Sequence, residues 1–275
     1  MSSSRTRVAV ITGATGGIGA AACRRFAREG WTVIGTSRDP GRADEIPGVF
    51  MRPLDVTDAA SVSSFAEGVL GSHGRIDVLV NNAGIGAIGA AEDTEPEQLE
   101  RIMAVNLTGV ARVTRALLPS MREHGSGRVV NVSSAVGLVP APYMAAYAAS
   151  KHALEGWSTS VDHETREHGV RVVLVEPGYT DTGFDDAVLR PESRSGAYDQ
   201  RVSGLEEFLT KALRSGDSPD VVADVIWKAA TGPVWTVRFP AGMVARSAAA
   251  AQRFAPRAAF DAGLRQMMGL PFKPR

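Results

Sequence analysis

Short apolar runs rich in β-branched residues alternate with longer amphipathic segments along most of this chain. Several runs are apolar at every position, as expected for strands that helices cover on both faces of a sheet. Such alternation builds right-handed β–α–β units and predicts an α/β fold with a doubly wound parallel sheet flanked by helices. The predicted strands are Val8–Thr12, Thr32–Thr36, Val49–Leu54, Ile76–Asn81, Arg128–Ser133, Val170–Glu176 and Val234–Phe239. The main predicted helices are Ala20–Glu29, Ala59–Leu70, Glu97–Glu123 and Ala145–Glu167.

The length of 275 residues fits one α/β domain, so residues 1–275 are interpreted as a single domain. The polar stretch Asp185–Ser203 interrupts the alternation, and an alanine- and arginine-rich helical extension occupies about residues 241–275. The 30 basic residues equal the 30 acidic residues, so no overall field favours nucleic acid as a partner.

The chain is expected to be cytoplasmic. Its single cysteine, Cys23, excludes an internal disulfide and suits a reducing compartment. Residues 1–5 lead directly into the first strand and leave no room for a signal peptide, and no apolar run reaches the roughly 18 residues of a membrane span. His163 and His168 lack the spacing of a zinc motif, because five residues put them on different helix faces, and no metal site is predicted.

The segment TGATGGIG, from Thr12 to Gly19, joins the first predicted strand to the first helix. Glycine permits a positive φ and close backbone approach, while the free N–H groups at a helix start attract a pyrophosphate. An ordinary tight turn is the alternative, but the position after the first strand of a Rossmann-type series favours a dinucleotide. The residues assigned to this site are Gly13, Thr15, Gly17, Ile18 and Gly19.

The end of the second strand bears on the choice of cofactor. A carboxylate there suits the ribose of NAD, whereas an arginine suits the 2′-phosphate of NADP. Ser37 and Arg38 occupy this place, so NADP(H) is expected to be preferred over NAD(H). The alternative is that Arg38 is only a solvated loop charge.

Three further motifs identify the chemistry. Asn81-Asn82-Ala83-Gly84 ends the fourth strand, Ser133-Ser134 ends the fifth, and Tyr147-Ala148-Ala149-Ser150-Lys151 lies in a helical pattern. With the glycine spacing, these motifs resemble the short-chain dehydrogenase/reductase family from about Val8 to Gly178. The resemblance implies an oxidoreductase that transfers hydride between a nicotinamide cofactor and a carbonyl or secondary alcohol. It assigns a catalytic tetrad to Asn106, Ser134, Tyr147 and Lys151.

The resemblance favours Ser134 over Ser133 because the family serine lies thirteen residues before the tyrosine. It brings Asp55 and Val56 to the adenine ring, although Asp55 is alternatively a loop or capping residue. Thr182 is implied to contact the nicotinamide carboxamide. The implied cofactor contacts beyond the glycine turn are Arg38, Asp55, Val56, Asn82, Ala83, Gly84, Tyr147, Lys151, Pro177, Gly178, Thr180 and Thr182.

The expected chemistry follows from the side chains. Tyr147 and Lys151 are four residues apart and share one helix face, so the ammonium is expected to lower the tyrosine pKa from its usual value near ~10. Tyr147 then exchanges the proton of the substrate oxygen, and Ser134 holds that oxygen. Asn106 is expected to hold, through its side chain, a water linking Lys151 to solvent; a simple polar helix residue is the alternative.

Substrate choice is expected to lie after Gly178, where residues of about 179–215 form a lid over the site. The mixed apolar and charged lid predicts a ketoreductase for a medium-sized lipophilic ketone or aldehyde. A non-catalytic NADP(H)-binding sensor of the same fold is the alternative function. The helical tail is predicted to cap the substrate site or a partner subunit rather than anchor the chain to a membrane, since its apolar residues are mostly alanines.

A homodimer or homotetramer is expected because the two long helices carry apolar residues on more than one side. The family resemblance implies that these helices form the dimer interface. The apolar residues concerned are Leu99, Met103, Val110, Leu117, Leu154, Trp157 and Val161.

Overall fold

The computed structural model describes residues 6–267 and residue 270. Seven parallel strands form one sheet in the order β3-β2-β1-β4-β6-β7-β9, and two short strands, β5 and β8, pair separately. The strands are β1 Val8–Thr12, β2 Thr32–Ser37, β3 Val49–Pro53, β4 Val78–Asn81, β5 Gly86–Ala87, β6 Gly127–Val132, β7 Val170–Pro177, β8 Val188–Leu189 and β9 Arg238–Ala241. The α-helices are α1 Gly17–Arg28, α2 Ala59–His73, α3 Pro96–Met103, α4 Val110–Glu123, α5 Ala145–Thr165, α6 Asp199–Arg214, α7 Pro219–Thr231, α8 Gly242–Phe254 and α9 Arg257–Met267.

Helices cover both faces of the sheet, which confirms the doubly wound fold. Phe26 of α1 and Ile226 of α7 pack on one face, and Phe65 of α2 and Leu117 of α4 pack on the other. The strand order reverses between β1 and β4, which lie side by side in register. Ligands of such sheets bind outside the carboxyl ends of the strands at this reversal.

The last strand begins later than predicted. The sequence Val234–Phe239 is apolar and β-branched, but pairing with β7 starts only where Arg238 lies beside Leu174. Trp235 is instead almost fully exposed. The strand therefore forms where it can pair with β7, even though strand propensity favours the earlier residues. To reach the carboxyl end of β7, β9 must extend to Ala241.

The long helix predicted over Glu97–Glu123 is interrupted. It consists of α3, a π-helical turn at Ala104–Gly109 and α4, and Asn106 lies inside the π-helical turn. Periodicity alone did not reveal this turn. Single π turns inside helices are frequently found at functional sites.

Three apolar residues expected at a dimer face lie in the protomer core. Val110, Leu117 and Leu154 are buried against the sheet. Because these three residues are buried in the protomer, the prediction that they lie at a dimer interface is wrong. Leu99 is 42% exposed.

The region after β7 is more regular than its polar sequence suggests. A 3-10 turn at Gly183–Ala187 leads to β8, which pairs with β5, and α6 follows. In the tail, Gln252 of α8 donates a hydrogen bond to the Leu138 carbonyl. Residues 268, 269 and 271–275 of the predicted tail lie outside the described residues. Within residues 6–267, every helix is too short or too polar to cross a bilayer.

Candidate active site

The glycine turn leaves no room for side chains. Gly13 has a φ of 68° and Gly17 a φ of 50°, which lie in the left-handed region that favours glycine. A Cβ on Gly19 would lie 2.0 Å from the Gly13 carbonyl oxygen. The helix α1 starts here with no side chain capping its first N–H groups. Bare backbone and free donors at a helix start fit the pyrophosphate of a dinucleotide.

Hydrogen bonds from β4 hold this turn in place. The Thr12 hydroxyl accepts from the backbone N–H groups of Asn82 and Ala83, each at 3.0 Å. The Asn82 amide donates to the carbonyls of Thr12 and Gly13, also at 3.0 Å. Asn82 therefore fixes the shape of the turn in addition to lining the crevice beside it.

A cavity of about 410 Å³ opens at the carboxyl ends of the strands. Its lining unites most of the residues that the sequence assigned to the site. These are Thr15, Gly17, Ile18, Asn82, Ala83, Gly84, Ser134, Tyr147, Lys151, Pro177, Gly178, Thr180 and Thr182. Gly13, Gly19, Arg38, Asp55, Val56 and Asn106 do not line this cavity.

Tyr147 and Ser134 meet inside the cavity. Their side chains are hydrogen-bonded, and Ser134 also caps the 3-10 turn Ala135–Gly137. Ser133 also lines the cavity, but its hydroxyl is buried beside Gly137 and makes no hydrogen bond to the described residues. The structure thus places Ser134 beside Tyr147.

The pKa of Tyr147 differs from the expectation. Burial raises the pKa of Tyr147 to about 12, and the hydrogen bond from Ser134 opposes this rise. The Lys151 Nζ lies 5.9 Å from the centre of the Tyr147 ring, and the loss of solvation outweighs any effect of its charge on this pKa. The expected lowering by Lys151 alone is therefore wrong for the protein without a bound cofactor.

Lys151 is buried and directed toward the strand ends. Its Nζ donates a 2.9 Å hydrogen bond to the Val132 carbonyl. Burial lowers the pKa of Lys151 to about 8, while the charge of Glu155 opposes the change. A Cβ at Gly84 would lie 3.7 Å from this Nζ, so glycine keeps the space in front of the ammonium open.

Asn106 lies behind Gly84 and is fully buried. Its amide donates to the Ile85 carbonyl at 2.9 Å and to the Ser150 hydroxyl at 3.0 Å, and its Oδ1 accepts from the Ile85 N–H at 2.9 Å. Both amide hydrogens are thus committed to the protein. The water expected at this side chain would therefore have to bond to Oδ1, and it stays a prediction.

The adenosine end of the predicted site lies beside the glycine turn. Strand β2 ends at Ser37, next to β1, and Arg38 follows on the exposed surface. Arg38 is close enough to Asp55 to help lower the pKa of that carboxyl, although hydrogen bonds from Thr57 contribute more. Asp55 Oδ1 accepts both of these bonds, at 2.8 and 2.6 Å, so Asp55 shapes its own loop.

Val56 and Thr182 are two further residues of the predicted cofactor site. Val56 packs on Gly109, where a Cβ would lie 2.8 Å from its side chain, and its carbonyl accepts from Arg112. Thr182 lies against Gly17, and its hydroxyl accepts from the Phe184 N–H at 3.3 Å.

Some contributors were missed at the sequence level. The Phe184 ring packs near Tyr147, tilted by 48° with 5.9 Å between ring centres, and Ser150 anchors Asn106. No local pattern marks Phe184, but Ser150 could have been noticed because it stands beside Lys151 in the helix motif.

Known proteins are similar to this chain in sequence. The family model described as short chain dehydrogenase matches residues 7–193. An uncharacterised oxidoreductase of Bacillus subtilis, YusZ, is 34% identical over 251 residues, covering 86% of this chain and 89% of the relative. A 3-ketodihydrosphingosine reductase of Bacteroides thetaiotaomicron is 39% identical over 180 residues, covering 66% of each chain.

Solved structures agree with the fold. A short-chain dehydrogenase from Streptomyces avermitilis has a TM-score of 0.85 at 34% identity, covering 98% of this chain and 99% of that chain. A metagenomic short-chain oxidoreductase in complex with NADP has a TM-score of 0.69 at 33% identity, covering 88% and 98%. A short chain dehydrogenase/reductase from Burkholderia phymatum in complex with NAD has a TM-score of 0.78 at 26% identity, covering 100% and 99%.

Proposed function

The chain belongs to the short-chain dehydrogenase/reductase family, as an NAD(P)-dependent oxidoreductase that acts on CH–OH groups, and we propose that it reduces a lipophilic ketone or aldehyde with NADPH. The observation that carries the proposal is the hydrogen-bonded pair Tyr147–Ser134 in an apolar cavity beside Lys151. The nicotinamide cofactor supplies the hydride when it is bound.

Tyr147 gives its proton to the substrate oxygen as negative charge develops there. Ser134 donates a hydrogen bond to the same oxygen and stabilises that charge. Lys151 then favours the phenolate that remains, since an ammonium nearby stabilises the charged form. Asn106 is a member of the proposed tetrad that acts by position, because it anchors the backbone at Ile85 next to Gly84.

The cavity lining supports a neutral, lipophilic substrate. Lys151 is the only charged side chain that lines the cavity among the described residues, and the remaining wall is largely apolar. A charged substrate group would find no charged partner there besides Lys151, whose ammonium already bonds the Val132 carbonyl, and it would lose its hydration. The apolar wall includes Ile88, Val136, Met144, Phe184, Val188, Leu205, Leu209, Leu213 and Val244. The relative named for 3-ketodihydrosphingosine, a long-chain ketone, is consistent with this class.

We further propose that residues of about 179–215 act as the lid and that the tail caps the cavity. Leu205 and Leu209 of α6 and Val244 of α8 contribute to the lining. Within the proposal the protein is a cytoplasmic homodimer or homotetramer.

NADP(H) is proposed as the preferred cofactor. Exposed Arg38 lies at the end of β2, where it can pair with a 2′-phosphate, and Ser37 brings no negative charge against it. Similar structures contain NADP in one case and NAD in another, so relatives alone do not decide the preference.

The test is turnover with a panel of ketones and aldehydes of increasing hydrophobicity, each assayed spectrophotometrically with NADPH and NADH. Oxidation of NADPH with long-chain or cyclic ketones is expected, with little activity on carboxylated substrates. Binding of NADPH without turnover of any panel member would instead favour a non-catalytic sensor.

A further inference from the structure

A buried polar cluster lies between α5 and the sheet, one helical turn beyond Lys151. Glu155 follows Lys151 by four residues and therefore shares its helix face. Both side chains pass the turn at Gly137, where a Cβ would lie 3.3 Å from Glu155 Cγ and 3.3 Å from Lys151 Cβ. From the sheet, Glu176 of β7 and Arg238 of β9 face the same space.

The two carboxyl groups share one cation. Arg238 Nε lies 2.8 Å from Glu155 Oε2 and 3.9 Å from Glu176 Oε1. Glu155 is 4% exposed and Glu176 is 0% exposed, whereas the Arg238 side chain is 46% exposed. Two buried carboxylates beside one partly solvated guanidinium cannot both ionise cheaply, so one of them retains a proton.

Glu176 is the member that holds the proton. The backbone N–H groups of Phe239 and of Glu176 itself lie near its carboxyl, but among the described residues none bonds to either oxygen with normal hydrogen-bond geometry. Burial, followed by the charge of Glu155, raises the pKa of Glu176 to about 9. Glu155 keeps the closer ion pair with Arg238 and carries the negative charge.

The charge of Glu155 also acts on Lys151. It raises the pKa of that amine, against the larger effect of burial. Among the described residues, the charged groups that face the two carboxyls are Lys151 from α5 and Arg238 from β9, and the neutral hydroxyl of Ser133 lies beside them at the end of β6. A buried carboxyl whose oxygens lack well-formed hydrogen bonds costs stability, and such exceptions call for an explanation.

We propose that Glu155 and Glu176 share one proton and that this pair, through Glu155, keeps Lys151 in its ammonium form. Both are positioning residues that act through Lys151. The kinetic consequence rests on the proposed function, whereas the shared proton does not depend on it.

The presence of a proton on the Glu155–Glu176 pair is tested by infrared titration of the full-length protein without substrate. Wild type is expected to show the carbonyl stretch of a protonated carboxylic acid at neutral pH, lost on alkaline titration with a midpoint near pH 9. Glu176→Gln removes this band. Glu155→Gln moves its midpoint to lower pH, because the anion that opposes ionisation of Glu176 is gone. Glu164→Gln, on the exposed face of the same helix, leaves band and midpoint unchanged.

The effect on Lys151 is tested by the pH profile of kcat/KM for carbonyl reduction. Removing the Glu155 anion lowers the pKa of Lys151, so its neutral amine form appears at a lower pH. The alkaline limb of Glu155→Gln is expected to move to lower pH by on the order of one unit. Glu164→Gln keeps the wild-type profile.

Each result has a defined meaning. Absence of the acid band from wild type at neutral pH, or an unchanged midpoint in Glu155→Gln, overturns the shared proton. Superimposed alkaline limbs overturn the link to Lys151. If wild type reduces no carbonyl, the proposed function fails and the infrared titration still decides the pair. If Glu155→Gln does not fold, Arg238→Gln replaces it, with a midpoint expected above that of wild type because the cation favours ionisation of Glu176.

Discussion

The hydroxyl of Tyr147 is the atom on which the proposed proton transfer depends. Tyr147→Phe removes it and leaves the ring against Phe184 in place. We expect kcat to fall by at least about 10²-fold, since general acid catalysis contributes that much or more. NADPH binding, measured by fluorescence titration, should persist.

A matched control is Tyr198→Phe. It removes a hydroxyl that bonds Glu92 outside the cavity, so its activity should stay near wild type. Activity of Tyr147→Phe within tenfold of wild type would be incompatible with the proposed acid.

Cofactor preference depends on two neighbouring residues. A charge-assisted contact between Arg38 and a 2′-phosphate contributes about 1.5–3 kcal/mol, on the order of ten- to a hundredfold in affinity. Arg38→Ala should weaken NADPH binding by that factor and leave NADH nearly unchanged. Ser37→Asp should reverse the preference, because its carboxylate repels the phosphate. The preference in wild type should be clear but not absolute, because the turn residues Ala14–Gly16 bring no second basic group.

The measurement is kcat/KM with each cofactor. Arg28→Ala, at the exposed end of α1, is the control for loss of a surface arginine. Equal efficiency of NADH and NADPH in the unmodified enzyme would reduce Arg38 to a surface charge.

At the scale of elements, α3 and α5 carry the proposed subunit contact. Leu99 on α3 is exposed, while Trp157 and Val161 on α5 are only partly buried. Apolar side chains at an open helix surface favour association. We expect a dimer or tetramer in light scattering at micromolar concentration, and Leu99→Glu with Val161→Glu should shift the population toward monomer. A monomeric wild type would refute the interface.

The sequence predicted most elements because strands and helices of this fold have distinct periodicities. Strand β1 matches its prediction, and the glycine turn and the helix motif around Tyr147 and Lys151 identified the centre of the site. These features are local in sequence, so their spacing is informative.

The remaining features depend on distant contacts. The π-helical turn at Asn106 is linked to bonds with Ile85 and Ser150, which no helical pattern encodes. The start of β9 is set by pairing with β7 rather than by its own residues. The pKa of Tyr147 depends on burial, which spacing to Lys151 does not report.

At the scale of the whole molecule, positive and negative charges are equal in number. The formal net charge is +0, so the long-range electrostatic field that could steer an anionic cofactor to the site is weak. Recognition must come from short-range groups at the strand ends, namely the turn N–H groups and Arg38. Cofactor affinity should therefore respond to salt only modestly.

The hydrogen bonds between Thr12 and Asn82 also constrain how the protein folds. Their partners are separated by 70 positions, so a nascent chain that has released only β1 and α1 carries the glycines without the strand that shapes them. Contacts of such long range form late and slow the folding of parallel sheets. The nucleotide thus recognises only a chain in which β4 already lies beside β1, and by binding only that form it draws the folding equilibrium forward. Cellular supply of the dinucleotide would then govern how much of this protein survives, as well as how fast it works.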